Sequence, residues 1–409
     1  MRISTGQIYS QNIRSIMENQ RGLVDTQEAL STGKKLNRPS DDPVGAAKVI
    51  RYTEELDQLT QYQRNNDLLT GALEQQEAVL GNIVDTAQRA RVLAVQAGNG
   101  ILSDTDRQAI AAELEQLRNE AFDLMNTQDA DGNYIFAGYQ SDIQAFSMNP
   151  ASTGDVITFA GDGGNTFVQV SDSARIQAST SGYEVFQNVL ARHDFTVTGT
   201  AGGATVDSAR VAEQSTFDNF YKQNYDAVTA ANNDYRLTVL AGNTIELTNV
   251  GTGAVVGTSS FTSGTPVTIK GMEFTVNGGV GDTVDFTLDS PQKKNLAETI
   301  NDLYNVLNAP VTNGDAYNDA INDAIVGIDN ALERVSLERS SVGGRLNAAR
   351  SVYETNLDLE IAAKEARSSI EDVDYAEASI EFSKQETALN AALASFPRVA
   401  NLSLFNYIS

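Results

Sequence analysis

The chain has 409 residues, a formal net charge of −25 from 54 acidic and 29 basic side chains, no cysteine, no tryptophan and only 7% aromatic residues. The acidic excess argues against a general nucleic-acid binder, because DNA and RNA phosphates must be neutralised by Lys and Arg. The missing cysteines exclude a disulfide framework and a cysteine-ligated zinc site. We expect no Sec-type signal peptide within residues 1–20 and no membrane span, since no apolar run approaches the ~18 residues that a span needs.

The N-terminal segment is predicted to form one amphipathic helix with a polar seam. A 4-3 spacing typical of coiled coils picks out Ile13, Ile16, Gln20, Leu23, Gln27 and Leu30. Because glutamine occupies positions 20 and 27, this seam is too polar to make a strong isolated coiled coil. We therefore expect the helix to need a partner that assembly supplies.

A polar connector follows this helix. The connector consists of Arg38, Pro39, Ser40, Asp41, Asp42 and Pro43. Its prolines disfavour helix at the residues before them. Helix is predicted to resume near Val44 and to stop at 98–100. A second long helix is predicted to begin after Ser103, which stands three residues before Asp106 as in a capping box.

The middle of the chain changes to short Thr/Val/Phe runs separated by glycines, which predicts β-structure. A strand is expected at 134–136, after the turn at Asp131-Gly132. Further strands are predicted at 156–159, 167–170, 195–198, 237–240, 244–248, 267–269, 274–276 and 284–288. A helical island predicted at 217–231 would divide the insert into two lobes. The interval 141–292 holds 16 acidic and 6 basic residues, so we expect a well-solvated domain.

Helix is predicted to return near Asn295 and, after a turn at 310–314, to form a third long helix. Its 4-3 ladder comprises Ile321, Ile325, Ile328, Leu332, Val335, Arg339, Val342, Leu346, Ala349 and Tyr353. The pair Gly343-Gly344 costs about 1 kcal/mol per glycine relative to alanine, and close helix packing or a bend would explain it. After a polar break at 368–374, the last helix carries a ladder at Ser379, Phe382, Glu386, Leu389, Leu393 and Phe396.

The predicted layout is nested, so that each late segment packs on its early counterpart. The expected fold is mainly α with an inserted β domain, in an elongated helical bundle formed by both chain ends. We expect terminal coiled-coil segments at 1–40 and 370–409, a helical bundle with a β-hairpin at 41–140 and 291–369, and a β-rich outer domain at 141–290. Residues 1–52 hold 8 basic and 5 acidic side chains, against 2 and 6 in 371–409, so the two ends have opposite charge.

No motif indicates catalysis, a metal site or a cofactor. The single histidine, His193, has no nucleophile signature nearby and is assigned a surface or turn role. Asp129, Asp131 and Asn133 resemble the start of a calcium loop, but Tyr134 stands where that loop needs glycine, so a hairpin turn is the better interpretation. The run 161–165 lacks the end of a phosphate loop and is predicted to be a turn.

Three segments resemble the flagellin superfamily. The connector LSTGKKLNRPSDDPVGAAK at 30–48 is similar to the superfamily's connector, and its prolines resemble the hook-filament junction branch more than filament flagellins. The segment GNYIFAGYQSDIQAF at 132–146 and the C-terminal run from Ser369, with IEDVDYAEA and LSLFNY, resemble the same branch. The resemblance covers the helical parts well and the β insert poorly.

The resemblance implies a structural subunit of the bacterial flagellum, exported through the flagellar type III apparatus and installed between hook and filament. The implied partners are other copies in a ring, a neighbouring hook-associated protein, flagellin on the filament side and a cytosolic export chaperone on the C-terminal helix. The implied assembly interface consists of Ile13, Ile16, Leu23, Leu30, Phe382, Leu389, Leu393 and Phe396, while the connector 38–43 would set the angle between end helices and bundle.

Three alternatives stay open. The interface residues would also be explained by packing within one chain. The chain could be a filament flagellin. The large Thr-rich insert could instead carry the carbohydrate-binding face of a secreted adhesin or enzyme.

Overall fold

Long helices from both chain ends flank a β-rich middle. The computed structural model describes residues 5–99, 102–152, 154–311 and 314–408. The helices are α1 (Thr5–Thr32), α2 (Pro43–Ala97), α3 (Asp104–Met125), α4 (Gln214–Asn224), α5 (Leu296–Asn308), α6 (Gly314–Glu371) and α7 (Tyr375–Ile408). This order confirms the expectation of a mainly helical fold with an inserted β-rich domain.

The strands all lie between α3 and α5. They are β1 (Phe146–Met148), β2 (Ile157–Phe159), β3 (Phe167–Gln169), β4 (Arg175–Gln177), β5 (Phe195–Ala201), β6 (Thr205–Val211), β7 (Asp234–Leu240), β8 (Thr244–Asn249), β9 (Val255–Ser260), β10 (Pro266–Ile269), β11 (Met272–Asn277) and β12 (Thr283–Leu288). Strands β1 and β2 form one two-stranded sheet and β3 and β4 form another.

The chain forms two compact units. Among the described residues, the first unit contains α1, α2 as far as Asp67, the hairpin tip Gln169–Ala174, and α6 and α7 from Ala349 onward; the second contains the remaining residues. In the first unit, α2 and α6 hold the hairpin tip through side-chain amides. Asn65 donates to the carbonyl of Gln169 and Asn356 to that of Val170, each at 2.8 Å.

The helical part of the second unit has a core with heptad spacing. The buried side chains of α2 include Leu69, Leu73, Gln76, Leu80 and Ile83, at alternating four- and three-residue intervals. Helices α3 and α5 pack against each other. The predicted capping box of α3 is confirmed, because the Ser103 hydroxyl accepts from the Asp106 N–H and the Asp106 carboxylate accepts from the Ser103 N–H.

Two antiparallel sheets of the β domain share one hydrophobic core. Their strand orders are β5-β12-β7-β8-β9 and β10-β11-β6, and β9 contacts β10 as β5 contacts β6. The core runs from Phe195 to Leu288 and includes Phe217, Phe220 and Tyr221 of α4. The predicted helical island therefore does not separate two lobes; it packs into the core common to both sheets.

The predicted strand at 134–136 is wrong. This segment is a series of turns with a single bridge between Gln128 and Tyr134. The Asp129 carboxylate accepts from the N–H groups of Asp131 and Asn133, both at 2.9 Å, so the calcium-loop look-alike is a turn. Hydrogen bonds within the turns and from neighbouring loops hold this segment, and no strand in the described part of the chain pairs with it.

The glycine-rich run at 161–165 is the turn that its composition predicts, and it supports the segment 134–139. Asp162 accepts from the Tyr139 N–H at 2.9 Å, and the Tyr139 hydroxyl donates to the Asn165 carbonyl at 3.1 Å. A Cβ on Gly164 would lie 2.2 Å from the Tyr139 ring, so only glycine fits beneath it. The backbone N–H groups of Tyr139 and Gly164 donate to the Asp162 carboxylate and lower its pKa.

The prediction of a third long helix is confirmed by α6, in which Ile321, Ile328, Val335 and Val342 are buried. The helix continues through Gly343-Gly344, and a Cβ at either position would meet no atom within 4 Å. Close packing within the chain therefore does not explain this glycine pair.

Candidate functional site

The breaks before α2 and before α7 lie side by side and are bonded to each other. The Lys35 N–H donates to the Glu371 carbonyl at 2.6 Å, and the Val373 N–H donates to the Gly33 carbonyl at 3.0 Å. The Lys34 ammonium also pairs with the Glu371 carboxylate. Because these bonds join the two breaks, α1 and α7 leave the bundle from one hydrogen-bonded junction.

The connector residues 38–43 are exposed and form a capped turn. The Arg38 N–H donates to the Asp41 carboxylate at 3.0 Å, and the Arg38 guanidinium lies 3.3 Å from Glu28 on α1. Asp42 accepts from the Val44 N–H at 3.1 Å and so caps α2, whose first residue is Pro43. A Cβ on Gly45 would lie 2.4 Å from the Asp42 carboxylate, so glycine leaves room for this cap.

Beyond the junction, α1 packs along α7. The α1 row that alternates three and four residues and is half-buried consists of Asn12, Ile16, Asn19, Leu23, Thr26 and Leu30. The corresponding α7 row consists of Ala378, Phe382, Gln385, Leu389 and Ala392. Ile16, Leu23 and Leu30 of the predicted N-terminal ladder belong to these rows, as do Phe382 and Leu389 of the C-terminal ladder. Four other predicted positions are exposed and lie one residue away from the rows: Gln20, Gln27, Ser379 and Glu386.

The polar layer of this contact has a defined packing. Gly22 of α1 lies under Gln385, since a Cβ on that glycine would be 3.2 Å from the Gln385 side chain. The Gln385 amide donates to Glu381 at 2.7 Å, and Lys384 also bonds this carboxylate; both hydrogen bonds lower the pKa of Glu381. The small residue therefore makes room for a polar side chain that its own helix orients.

The predicted interface residues divide into three groups. Ile13, Ile16, Leu23, Leu30, Phe382 and Leu389 are half-buried. Leu393 is 52% exposed, and the side chain of Phe396 lies outside the described residues. Sequence reasoning missed Met17, Val24 and Ile380, which are exposed on the same two helices. Met17 and Val24 are seven residues apart, and this heptad spacing is the sequence signal by which they could have been found.

Charge contributes little to the contact between the ends. Among the described side chains, the ion pair that joins the two end segments is Lys34 with Glu371, at the junction. Exposed pairs contribute about 0 to 1 kcal/mol each. Although the two ends have opposite net charges, the described parts of α1 and α7 are therefore not joined by a series of ion pairs.

We predict that Gly33→Ala loosens the junction. Gly33 has φ of 73°, a conformation that costs an L-residue roughly 1 kcal/mol or more. A Cβ there would also lie 2.8 Å from the Tyr375 hydroxyl, which sits on an exposed and movable side chain. We expect amide exchange of Val373, whose N–H bonds Gly33, to accelerate by about tenfold in hydrogen-exchange NMR.

The double variant Gly33→Ala/Tyr375→Phe separates the two causes. If backbone strain dominates, removing the hydroxyl leaves the acceleration unchanged. Unchanged exchange at Val373 in Gly33→Ala itself would contradict the prediction.

The remaining candidate, His193, was expected at the surface or in a turn. It lies in an irregular segment outside the helices and strands, and its side chain is packed and only 13% exposed. Its Nδ1 lies 2.9 Å from the Asp218 carboxylate, and its ring stacks on Tyr221 with centroids 4.1 Å apart. Within the described ranges, no three His, Asp or Glu side chains are grouped so that they could hold a metal ion. In the same residues, no helix combines the length and apolar character needed to span a membrane.

Comparison with known proteins gives matches on both helical ends. The model of the bacterial flagellin N-terminal helical region matches residues 3–141, and that of the C-terminal helical region matches 325–408. Flagellar hook-associated protein 3 of Escherichia coli is 32% identical over 216 residues, which are 52% of this chain and 66% of that protein. Its Salmonella typhimurium namesake is 35% identical over 191 residues, or 46% and 58%. The chain thus aligns with less than two thirds of either relative.

Solved structures agree in fold. The flagellar hook-associated protein 3 from Legionella pneumophila has a TM-score of 0.58 at 25% identity and covers 78% of this chain and 98% of that chain. FlgL of Xanthomonas campestris also has a TM-score of 0.58, at 23% identity, and covers 78% of this chain and 99% of that chain. At this identity the likeness shows the fold alone. Because the two flagellin regions together match more than half of its residues, on the end helices and the bundle, this chain belongs to the bacterial flagellin family.

Proposed function

We propose that this chain is the structural subunit that joins the hook to the filament of a bacterial flagellum. The observation that carries the proposal is the α1–α7 pair, which brings both chain ends together and still leaves apolar side chains exposed. Met17, Val24, Ile380 and Leu393 are each more than half exposed. Burying a large apolar side chain contributes about 1.5 to 3 kcal/mol, so this pair favours association with neighbours.

The names of the relatives support this role within the family. The two curated relatives aligned above are called hook-associated protein 3, and one solved structure of similar fold is called a flagellar junction protein. The partners of the chain are then further copies of itself in a ring, the neighbouring hook-associated protein on the hook side and flagellin on the filament side. The protein acts outside the cell, at the hook-filament junction.

Export through the flagellar type III apparatus is part of the same proposal. Its support is the polar α1–α7 seam, in which Asn19, Thr26 and Gln385 alternate with apolar residues and weaken association before assembly. A cytosolic chaperone would cover the apolar face of α7 until export, as amphipathic helices are commonly bound in a groove. The relatives are structural flagellar proteins, and we assign this chain no enzymatic activity and no cofactor.

Deletion of the gene tests the proposal. We expect cells that carry hooks without filaments, that do not swim and that release flagellin into the medium, because the filament has no base on which to grow. Electron microscopy of the cell surface and immunoblots of the medium would measure this. Normal filaments in the deletion strain would refute the proposal, and restoration by the plasmid-borne gene is the control.

A filament flagellin is the second candidate. Flagellin B of Vibrio anguillarum is 23% identical over 384 residues, which cover 91% of this chain and 89% of that protein. The two roles differ in copy number, since a filament contains thousands of subunits and a junction contains one short ring. Purified protein that polymerises into long tubes would favour flagellin, and protein that caps isolated hooks without elongating would favour the junction role.

A further inference from the structure

A two-stranded neck connects the β domain to the helices of the second unit. It consists of residues 189–194, which lead into the domain, and 289–294, which lead out of it. The Ala191 N–H donates to the Gln292 carbonyl and the Lys294 N–H to the Val189 carbonyl, both at 2.9 Å. Two chain segments paired by a few backbone bonds form a narrow connection, so other contacts must fix the direction in which the domain points.

Arg192 lies in this neck and bonds to both sides at once. Toward the β domain, its Nη2 donates to the Val211 carbonyl at 3.0 Å and its Nε to Gln214 at 2.5 Å. Toward helix α6, its Nη1 donates to Asp323 at 2.7 Å and lies 3.7 Å from Asp319. One guanidinium thus joins α6 to the end of β6 and the start of α4.

The burial of Arg192 makes these bonds obligatory. Its side chain is only 3% exposed, and a buried cation without partners is strongly unfavourable. The planar guanidinium aims its donors in fixed directions. Both sets of acceptors are therefore satisfied only when the β domain has one orientation on α6.

The charges around this arginine are unbalanced. Asp194 follows it in the neck, Asp319 and Asp323 face it from α6, and Arg210 of β6 lies 3.7 Å from Asp315. The other charged or titratable groups that face the neck are Asp155, His193, Asp218, Lys222, Glu273, Lys293, Lys294, Asp302, Glu333 and Arg334. The carboxylates near Arg192 outnumber the arginines that neutralise them.

We propose that Arg192 is the lock that sets the orientation of the β domain on helix α6, and that mild acidification tightens this lock. In the locked form the domain is held by the bonds of Arg192 to Val211, Gln214 and Asp323. In the unlocked form it turns about the neck, and Arg192 and the carboxylates gain water. The proposal does not depend on the position of the protein in the flagellum.

The direction of the pH effect follows from Asp194. Burial raises its pKa from 3.8 to about 6. The Phe195 N–H, which bonds this carboxylate, and then Arg192 oppose the rise, while Asp323 and Asp319 add to it. Burial likewise raises the pKa of Asp319, against the effect of Arg192. The locked form therefore binds a proton on Asp194 more tightly than a solvated, unlocked form does. Locking strengthens as pH falls through about 6 and gains nothing more from this group below its ordinary pKa.

Distance measurements on the full chain test the proposal. Because the chain has no cysteine, Val92→Cys on α2 and Val228→Cys on the β domain provide the only thiols for two spin labels. Both positions are exposed, and the neighbouring Arg91 bonds α2 to Asp329 of α6 at 2.5 Å, so the first label reports on α6. Pulsed electron paramagnetic resonance then gives the distribution of distances between the labels.

At pH about 7 we expect the labelled parent to give one main narrow distribution from the locked form and a minor broad component from the unlocked form. Arg192→Ala should raise the unlocked fraction by about tenfold or more, because breaking a buried charge pair costs more free energy than a tenfold shift in population requires. Arg192→Lys should not restore the narrow distribution, since an ammonium lacks the guanidinium's fork of donors. Arg236→Ala is the matched control, because that arginine pairs with Asp285 within one sheet and should leave the distribution unchanged.

The pH dependence provides an independent readout. In the parent, the narrow fraction should grow as pH is lowered from about 7 to about 5, and Asp194→Asn should reduce this growth to the part that Asp319 supplies. If Arg192→Ala does not fold, as judged by circular dichroism, Asp323→Ala removes the bond from the α6 side and should broaden the distribution. The proposal is overturned if Arg192→Ala, or in its place Asp323→Ala, keeps the parent distribution, or if Asp194→Asn titrates like the parent.

Discussion

Leu393→Ser will leave the folded chain as stable as the parent and will prevent its incorporation into the flagellum. Leu393 is 52% exposed, because the α7 row that contacts α1 runs through Phe382 and Leu389 and passes one residue away from position 393. Its removal therefore creates no cavity within the chain. In the proposed assembly the same side chain is buried by a neighbour, and its loss costs about 1.5 to 3 kcal/mol at every copy in the ring.

Two measurements separate packing within the chain from assembly. Thermal unfolding followed by circular dichroism reports the first, and swimming together with immunogold labelling of isolated hooks reports the second. Phe382→Ser should weaken both, because Phe382 is half-buried against α1. Glu386→Ala, at an exposed position of the same helix, should weaken neither. Normal swimming of Leu393→Ser cells would remove Leu393 from the interface, and a lowered melting temperature would show that it packs within the chain.

Glu298→Ala will strongly destabilise the second unit. Glu298 is 2% exposed at the start of α5, and its carboxylate accepts from the Val156 N–H at 3.0 Å and from the Ile157 N–H at 2.7 Å. Alanine would leave the buried Ile157 N–H and the partly buried Val156 N–H without an acceptor, and an unsatisfied buried group costs about 1 to 3 kcal/mol. We expect the free energy of unfolding to fall by ~3 kcal/mol or more in urea titrations.

A graded series makes this prediction specific to hydrogen bonding. Glu298→Gln keeps the shape and one acceptor oxygen but directs an amide N–H₂ toward a backbone N–H, so we expect an intermediate loss. Glu74→Ala removes an exposed glutamate from α2 and should change stability by no more than about 0.5 kcal/mol. Equal stability of Glu298→Ala and Glu74→Ala would contradict the reason given. Folding of Glu298→Ala is confirmed first by circular dichroism.

Most β-strands were predictable because their composition is unambiguous. All eight runs predicted in the β insert coincide with strands, since Val, Phe and Thr between glycines suit a half-buried pleated surface. Four strands were missed: β1, β4, β6 and β9. Strand β6 contains Asp207, Ser208 and Ala209 and pairs with β11 alone, and β9 is at the edge of its sheet. Their hydrogen-bonding neighbours, and not their composition, make these segments strands.

The sequence predicted only some of the residues in the contact between α1 and α7, for a geometric reason. A 4-3 pattern can be continued from Leu23 through either of two rows one residue apart, because residues three and four positions away both lie on the same face of a helix. Each row contains two polar residues, Gln20 and Gln27 in the predicted row and Asn19 and Thr26 in the observed one. Apolar content therefore does not distinguish the rows. The partner helix decides between the rows, as Gly22 under Gln385 shows.

The amino-acid sequence by itself determined the long helices, their capping signals, the inserted β domain and the resemblance to flagellins, because these depend on local periodicity and on short motifs. Only the tertiary structure decided that the two connectors bond to each other, that α4 completes the β core, and that Arg192 joins the β domain to α6. Each of these contacts unites residues far apart in the chain, such as Lys34 with Glu371 and Arg192 with Asp323. Which distant groups meet depends on how whole elements pack, and local periodicity does not encode it.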